Sequence, residues 1–303
     1  MRKTTAAFSA LALSTIVLTG CSAATPTFDG AACDRDSSAA LETSVKVSGE
    51  FGSPRVSVET PVHSGHLAYA DLITGGGRAI TDDGQEAILA RVLVNGTTGQ
   101  AIDAQLKLWS PESAGAELPG VDRALECATE GSRIVVAIPA SDLPDGVAPQ
   151  IGLDAKDSLL AVYDVHYTTL AKADGDAVFN DTPGLPSVVR APDGRPGVII
   201  PDIAAPKKAV TETLLRGDHE KVGDGTALIR STSVGWSSRS VEQTTWDGTL
   251  TGTDGLPAEV AEAVSESRVG SQLMVVVPAQ SGDDATVHVV DVLGVVPAEL
   301  VGQ

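Results

Sequence analysis

Two stretches of this chain are variants of one another. Val121 to Ala140, VDRALECATEGSRIVVAIPA, aligns with Val260 to Ala279, VAEAVSESRVGSQLMVVVPA, without a gap at an offset of 139 residues, and seven of twenty positions are identical. A self-match of such long period constrains the fold more than any local propensity, because each copy has to close the same core. The mature protein is therefore expected to use one module twice.

The module reads as a short helix, a turn and a strand. Val121 and Leu125 lie four residues apart, as do Val260 and Val264, so each pair shares one helix face. A glycine, Gly131 or Gly270, is expected to stop the helix. Ile134 to Ile138 and Leu273 to Val277 are unbroken aliphatic runs, which suit a strand covered on both faces or packed under a helix. Pro139 and Pro278 end the ladder, since proline offers no N–H.

At 303 residues the chain is long enough for two such cores. Its net charge of −19 repels phosphate backbones and argues against a nucleic-acid partner. The acidity reads as a solvated surface. Aromatic residues make up only 3% of the chain, which limits the kind of pocket it can build.

The N-terminus has the pattern of an export signal, residues 1–20. Arg2 and Lys3 precede the apolar run Ala6 to Val17, and Leu18-Thr19-Gly20-Cys21 follows. That run is too short to span a bilayer. Leu-x-Gly-Cys resembles the bacterial lipobox, so Cys21 is expected to carry lipid and to hold the protein on the outer face of the cell membrane. Cys33 and Cys127 remain, and in an exported protein they are expected to form a disulfide.

Residues 21–32 read as a tether and 33–170 as a first domain. Strands are expected at Val45 to Val47, Ala87 to Val94 and Leu159 to Tyr167. Ala171 to Pro186 is rich in Asp, Gly and Pro and reads as a linker. Residues 187–303 repeat the plan, with strands at Val198 to Ile200, Ala209 to Leu215, Thr226 to Ser231 and Thr286 to Leu293. Several strands and one short helix per copy give an α+β class with a mainly antiparallel sheet.

The second copy resembles the FKBP-type peptidyl-prolyl isomerases over most of residues 184–294. Gly223-Asp224-Gly225-Thr226 is similar to the family's Gly-Asp before a long strand. Val269-Gly270-Ser271 through Val277-Pro278 is similar to its Val-Gly-x-apolar-Ile-Pro strand, and TVHVVDVL at Thr286 to Leu293 to its closing strand. Thr244-Thr245-Trp246-Asp247 is similar to the Ser-Ser-Trp-Asp of actinobacterial members. The resemblance implies two tandem FKBP-like domains, each a twisted antiparallel sheet wrapped over one short helix. It also implies rotation about X-Pro bonds, whose conjugated amide gives a high uncatalysed barrier. An aromatic pocket that holds a twisted amide better than either planar form would lower that barrier.

The pocket residues depart from the family's pattern. In the second copy the tyrosine position falls on Ser231 and the Phe-Asp pair on Glu242 and Gln243. The Val-Ile pair falls on Leu256 and Pro257, the floor tryptophan on Val260, and the closing-strand phenylalanine on Val289. In the first copy the tyrosine position falls near Ala90 and the floor on Val121. Ile102-Asp103 stands for Phe-Asp, so only Asp103 is kept. Trp236 and Trp246 could line a replacement pocket, although large residues of a small domain more often fill its core.

Other signals are weaker. His63 and His66 are too few for a metal site, and a solvated loop is the better reading. Asp174, Asp176 and Asp181 lack the spacing of a calcium loop. Gly75-Gly76-Gly77 has no following Lys-Ser/Thr and reads as a flexible turn. No cofactor and no metal are expected. Two functions fit. One is an FKBP-type isomerase-like lipoprotein acting as a foldase on exported proteins, its activity weakened or lost. The other is a non-catalytic envelope lipoprotein that binds peptides or a partner protein on the same fold. An open apolar groove around Glu242, Gln243 and Val260 supports the first, and a filled or charged floor the second.

Overall fold

The computed structural model describes residues 27–28, 31–33, 35–110, 118–280, 284–296 and 300. The export signal and Cys21 lie outside the described residues.

The two halves share one strand order. In the first half, β5 (Ala68–Ile73), β6 (Ala87–Asn95), β7 (Ala101–Trp109), β8 (Arg133–Pro139) and β9 (Ser158–Thr168) form a sheet ordered β5-β8-β9-β6-β7. In the second, β13 (Val210–Arg216), β14 (Thr226–Gly235), β15 (Val241–Thr244), β16 (Gln272–Val277) and β17 (Thr286–Val296) repeat it as β13-β16-β17-β14-β15. Every pairing is antiparallel. Each sheet has its own small hairpin before it: β3 (Val45–Ser48) with β4 (Arg55–Val58), and β11 (Ser187–Arg190) with β12 (Pro196–Ile199). The register matches as well. Ile134 stands opposite Tyr163 and Arg133 opposite Asp164, as Leu273 stands opposite Val290 and Gln272 opposite Asp291.

The central strands are apolar on both faces because both faces are covered. On β8, Ile134, Val136 and Ile138 join the core under the helix, while Val135 and Ala137 join a second core with hairpin residues Val47 and Val56. On β16, Leu273, Val275 and Val277 face the helix, while Met274 and Val276 pack with Val188 and Val198 of the hairpin. The helices α2 (Val121–Leu125) and α4 (Ala258–Glu266) bury the expected faces, Val121 with Leu125 and Val260 with Val264. Among the described residues the first half also holds α1 (Ala39–Ser44) and α3 (Val147–Gln150), so its helix count differs from the single helix expected.

Gly131 and Gly270 do a different job from the one expected of them. The helices end earlier, at Leu125 and Glu266. Each glycine instead makes the turn into its strand at positive φ, +85° and +91°, donating its N–H to Val165 and Val292 respectively at 2.8 Å. The serine after each glycine accepts an N–H from a second glycine, Gly75 to Ser132 Oγ at 2.9 Å and Gly217 to Ser271 Oγ at 3.0 Å. A Cβ on Gly75 would sit 1.9 Å from the Glu130 carbonyl oxygen, so that position requires glycine for close approach.

The stretch read as a linker, 171–186, is partly sheet. Asp176–Ala177, β10, pairs with β13 at the edge of the second sheet. Gly175 donates to the Gly270 carbonyl at 3.0 Å, and a Cβ there would collide with the Arg216 backbone at 2.4 Å. The halves also touch directly. The Leu250 N–H donates to buried Glu86 at 2.7 Å, and the Tyr167 hydroxyl bonds to the Glu220 carboxylate. Leu170 packs with Leu228, Leu250 and Leu293, and Leu106 with Val296 and Leu300. Cys33 and Cys127 are joined as a disulfide across 94 residues of sequence, with Cα atoms 5.7 Å apart.

Candidate functional site

In the first half a cavity lies where the short helix crosses the sheet. Val121 of α2 is buried against Leu89 of β6, Tyr163 of β9 and Leu118. Arg91 of β6 lines that space and is 7% exposed, and its Nη2 donates to Asp103 Oδ2 at 2.8 Å. Gln105 Nε2 donates to the same carboxylate oxygen at 2.9 Å. Lys107 and Trp109, from the same face of β7, complete the wall of a cavity of about 20 Å³. Such a volume admits one water and no prolyl ring.

The electrostatics of this cavity follow from burial. Desolvation holds the Lys107 ammonium below its ordinary pKa, and the neighbouring Arg91 guanidinium adds to the effect. Desolvation also pushes the Tyr163 phenol well above its ordinary value, with Arg91 opposing it weakly, so the hydroxyl stays protonated. The Trp109 side chain is buried, and its indole N–H has no hydrogen-bond partner among the described residues.

An open groove adjoins the cavity and shares Arg91 and Leu118 with it. Leu93 and Leu159 form its floor, and Ile102, Val147 and Ile151 its rims, around a volume of about 270 Å³. α3 and Ile151 come from the segment between β8 and β9, which the sequence offers only as a Pro- and Gly-containing loop. Ile102 sits where β7 slips register against β6, between the Val94–Ala101 and Leu93–Asp103 pairs, and is 40% exposed.

The expected pocket positions divide by face. Arg91 pairs with Tyr163, and Ser231 with Val290, so Arg91 and Ser231 are the matching residues that face the helix. Ala90 is one residue out and lies on the other face, with Val92 and Val94. Val289 is likewise one residue out. Val290 and Val292 join the helix-side core, whereas Val287, of Val289's parity, joins the hairpin-side core. Ile102, Asp103 and Val121 do come together beside Arg91.

In the second half Val260 is fully buried and Leu256 packs against the same core, with Pro257 at the start of α4. Ser231 donates its N–H to Thr245 Oγ1 at 2.9 Å. Glu242 and Gln243 are both exposed on edge strand β15. Gln243 pairs with Ser233 on the helix side, and Glu242, at a slip in register against β14, accepts from Thr286 Oγ1 at 3.4 Å. The floor at Val260 is thus filled with aliphatic core. Trp236 packs in the core behind the sheet, and Trp246 lies under the Arg230 guanidinium, 5.5 Å from its ring centre.

Counting along the sequence missed Arg91, Lys107, Trp109 and Tyr163. One signal was available: Arg91 is a charge inside an otherwise apolar run, Ala87 to Val94. His63 bonds to Asp157 at 2.6 Å, and no group of three or more metal-ligating side chains occurs among the described residues.

The chain matches no protein-family model and no curated protein. It is similar in fold to solved structures of the FKBP type. Against the three FKBP domains of wheat FKBP73 the TM-score is 0.32 with 12% identity, covering 77% of this chain and 95% of that one. FkpA from Escherichia coli gives 0.27 with 16% identity, covering 36% of this chain and 52% of that one. A peptidyl-prolyl cis-trans isomerase from Pseudomonas syringae pv. tomato gives 0.28 with 16% identity, covering 36% of this chain and 82% of that one. At TM-scores and identities this low, the likeness assigns no activity.

Proposed function

We propose that this protein is a tandem pair of FKBP-like domains, anchored outside the cell by lipid on Cys21, that binds apolar segments of exported proteins without isomerising them. The observation that carries the reading is the contrast between cavity and groove in the first half. Twisting an X-Pro amide requires the prolyl ring to sit deep between helix and sheet, where an enclosed apolar wall can favour the non-planar form. That position holds the Arg91 guanidinium, bonded to Asp103, and about 20 Å³ of space. The groove outside it is larger, apolar and open. It is shaped to cover apolar side chains, and burying them drives association at about 25 cal/mol per Å². The second half supports the same reading, because its floor is filled at Val260.

The repeated strand order supports the division into domains at 33–170 and 187–303, with the intervening stretch strapped to the second sheet. Fold alone does not give function, so the test is chemical. Proline-limited refolding of a model protein, with the full chain added in mild detergent, should keep its uncatalysed rate. A rate that climbs in proportion to added protein would establish the isomerase reading instead.

A further inference from the structure

The first half meets the second through a buried carboxyl. Glu86, just before β6, is 2% exposed. One of its oxygens, Oε1, accepts the Leu250 N–H of the second half at 2.7 Å. The other, Oε2, is buried and has no hydrogen-bond partner among the described residues. An acceptor in that state is costly, and an ionised one more so. Leu250 also belongs to the leucine cluster that closes the junction, with Leu170, Leu228 and Leu293. Thr169 ties the Glu86 main chain to this seam: its N–H donates to the Glu86 carbonyl at 2.8 Å, and its hydroxyl accepts the Glu86 N–H at 2.9 Å. The charges nearby do little for the carboxylate. Arg230 of β14 acts on it through space, and its Nη1 is taken by the Trp246 carbonyl at 3.1 Å. Asp247 is paired with Arg195 at 2.6 Å, and Lys172 donates to the Pro192 carbonyl. Asp82 and Asp83, on the same loop as Glu86, bring only like charge. Burial outweighs the Leu250 bond and Arg230, and holds the Glu86 carboxyl above its ordinary pKa.

From this seam we infer that the docking of the two halves is coupled to a proton: Glu86 is neutral while they are packed together and releases its proton to water as they part. Leu250 and Arg230 both leave with the second half, so parting is what lets water reach Oε2. The packed carboxyl has the higher pKa, and the parted one the ordinary value near 4.3. The contact is therefore complete below that value and is lost as pH rises through the packed one. Between the two, one proton leaves per opening, and the opening constant rises about tenfold per pH unit. Other groups at the junction behave differently. Asp291 is also shifted upward by burial, but its partners Gln272 and Ala173 lie in the second half and the stretch strapped to it, so parting leaves it covered. Burial raises the Glu220 carboxyl, but the Tyr167 hydroxyl, Arg78 and His219 bring it below its ordinary value, so it stays ionised. Burial pushes the Tyr167 phenol up, so it stays protonated. His219, beside Glu220, bonds to Asp174 at 3.0 Å.

Hydrogen exchange resolved by residue, on the full chain in mild detergent, tests this. Rates are expressed as protection factors, which remove the direct effect of pH on the chemical step. Two amides cross the seam: Leu250, bonded to Glu86, and Leu170, bonded to the Leu293 carbonyl at 2.8 Å. Leu170 reports parting without touching a titrating group. Both should be less protected than amides at the centre of β8, because they open without the whole fold opening. Both should lose protection together, by about tenfold or more from pH 5 to pH 8. Glu86→Gln keeps an acceptor for Leu250 and removes the proton, so the loss at Leu170 should largely vanish. His219→Gln alters the other junction cluster and should leave the loss in place; it carries the test if Glu86→Gln does not fold. Protection at Leu170 that stays flat with pH in the wild type would overturn the proposal. So would a loss that survives Glu86→Gln, or one that His219→Gln abolishes. Leu170 protected as strongly as β8 would show that the halves never part on their own, and would overturn it too.

Discussion

Asp291 offers a quantitative test of the register that relates the two halves. It stands opposite Gln272 in the second half, where the first half has Asp164 opposite Arg133. The first pair is a buried ion pair with bonds of 2.6 and 2.7 Å. In the second the carboxylate has only neutral donors, Gln272 Nε2 at 2.7 Å and the Ala173 N–H at 3.1 Å. Burial therefore dominates and pushes the Asp291 carboxyl up to about 6. Its value in the unfolded chain is near 3.9. Because the folded value is the higher one, the group's contribution to stability is complete below about pH 4 and is lost as pH rises through 6. A rise of about two pH units corresponds to about 3 kcal/mol at pH 7. Asp291→Asn keeps the shape, sacrifices one of the two acceptor bonds at every pH for about 1 kcal/mol, and abolishes the titration. Urea unfolding followed by tryptophan fluorescence at pH 4 and pH 7 measures both parts. The variant should gain about 2 kcal/mol on wild type between the two pH values. A difference that stays flat with pH would refute the assignment of Asp291 to a buried site in which Arg190 and Arg230 only partly offset desolvation, and one of opposite sign would show that a partner charge dominates there.

Three further outcomes follow from the same reasoning. Arg133→Gln copies the second half's pairing into the first but strands buried Asp164, so it should cost about 3–5 kcal/mol, read by urea denaturation. Reducing the Cys33–Cys127 bond frees a long loop and should cost about 2–4 kcal/mol, read as a lower Tm with reductant. Cys21→Ser should move the protein from the membrane fraction to the soluble one, and continued retention would remove the lipid anchor from the account.

The repeat made the fold legible because strands buried on both faces keep long apolar runs, and those runs survive duplication. Ile134 and Leu273 fall in matching strands for that reason. The same property hid the site. A strand that is apolar on both faces has no alternation from which to phase it, so counting along β6 and β17 landed on Ala90 and Val289, each one residue off the helix-facing side. Val121 and Val260 were legible because helical spacing does mark a face. The rims of the groove were not, since Ile102 sits at a slip in register and Val147 and Ile151 come from a segment with no period at all. Asp, Gly and Pro marked residues 171–186 as irregular, yet Gly175 is there because backbone passes too close for a Cβ.

The claim that apolar segments bind in the first-half groove is tested most directly by moving one charge. Ile102 and Val241 are exposed apolar residues on the edge strands of the two sheets, 40% and 59% accessible. With a labelled apolar peptide and the full chain, Ile102→Glu should weaken binding by about tenfold or more, since it places a charge where apolar surface must be covered, and Val241→Glu should leave it as it was. Equal loss from both variants, or loss from Val241→Glu alone, would contradict the account.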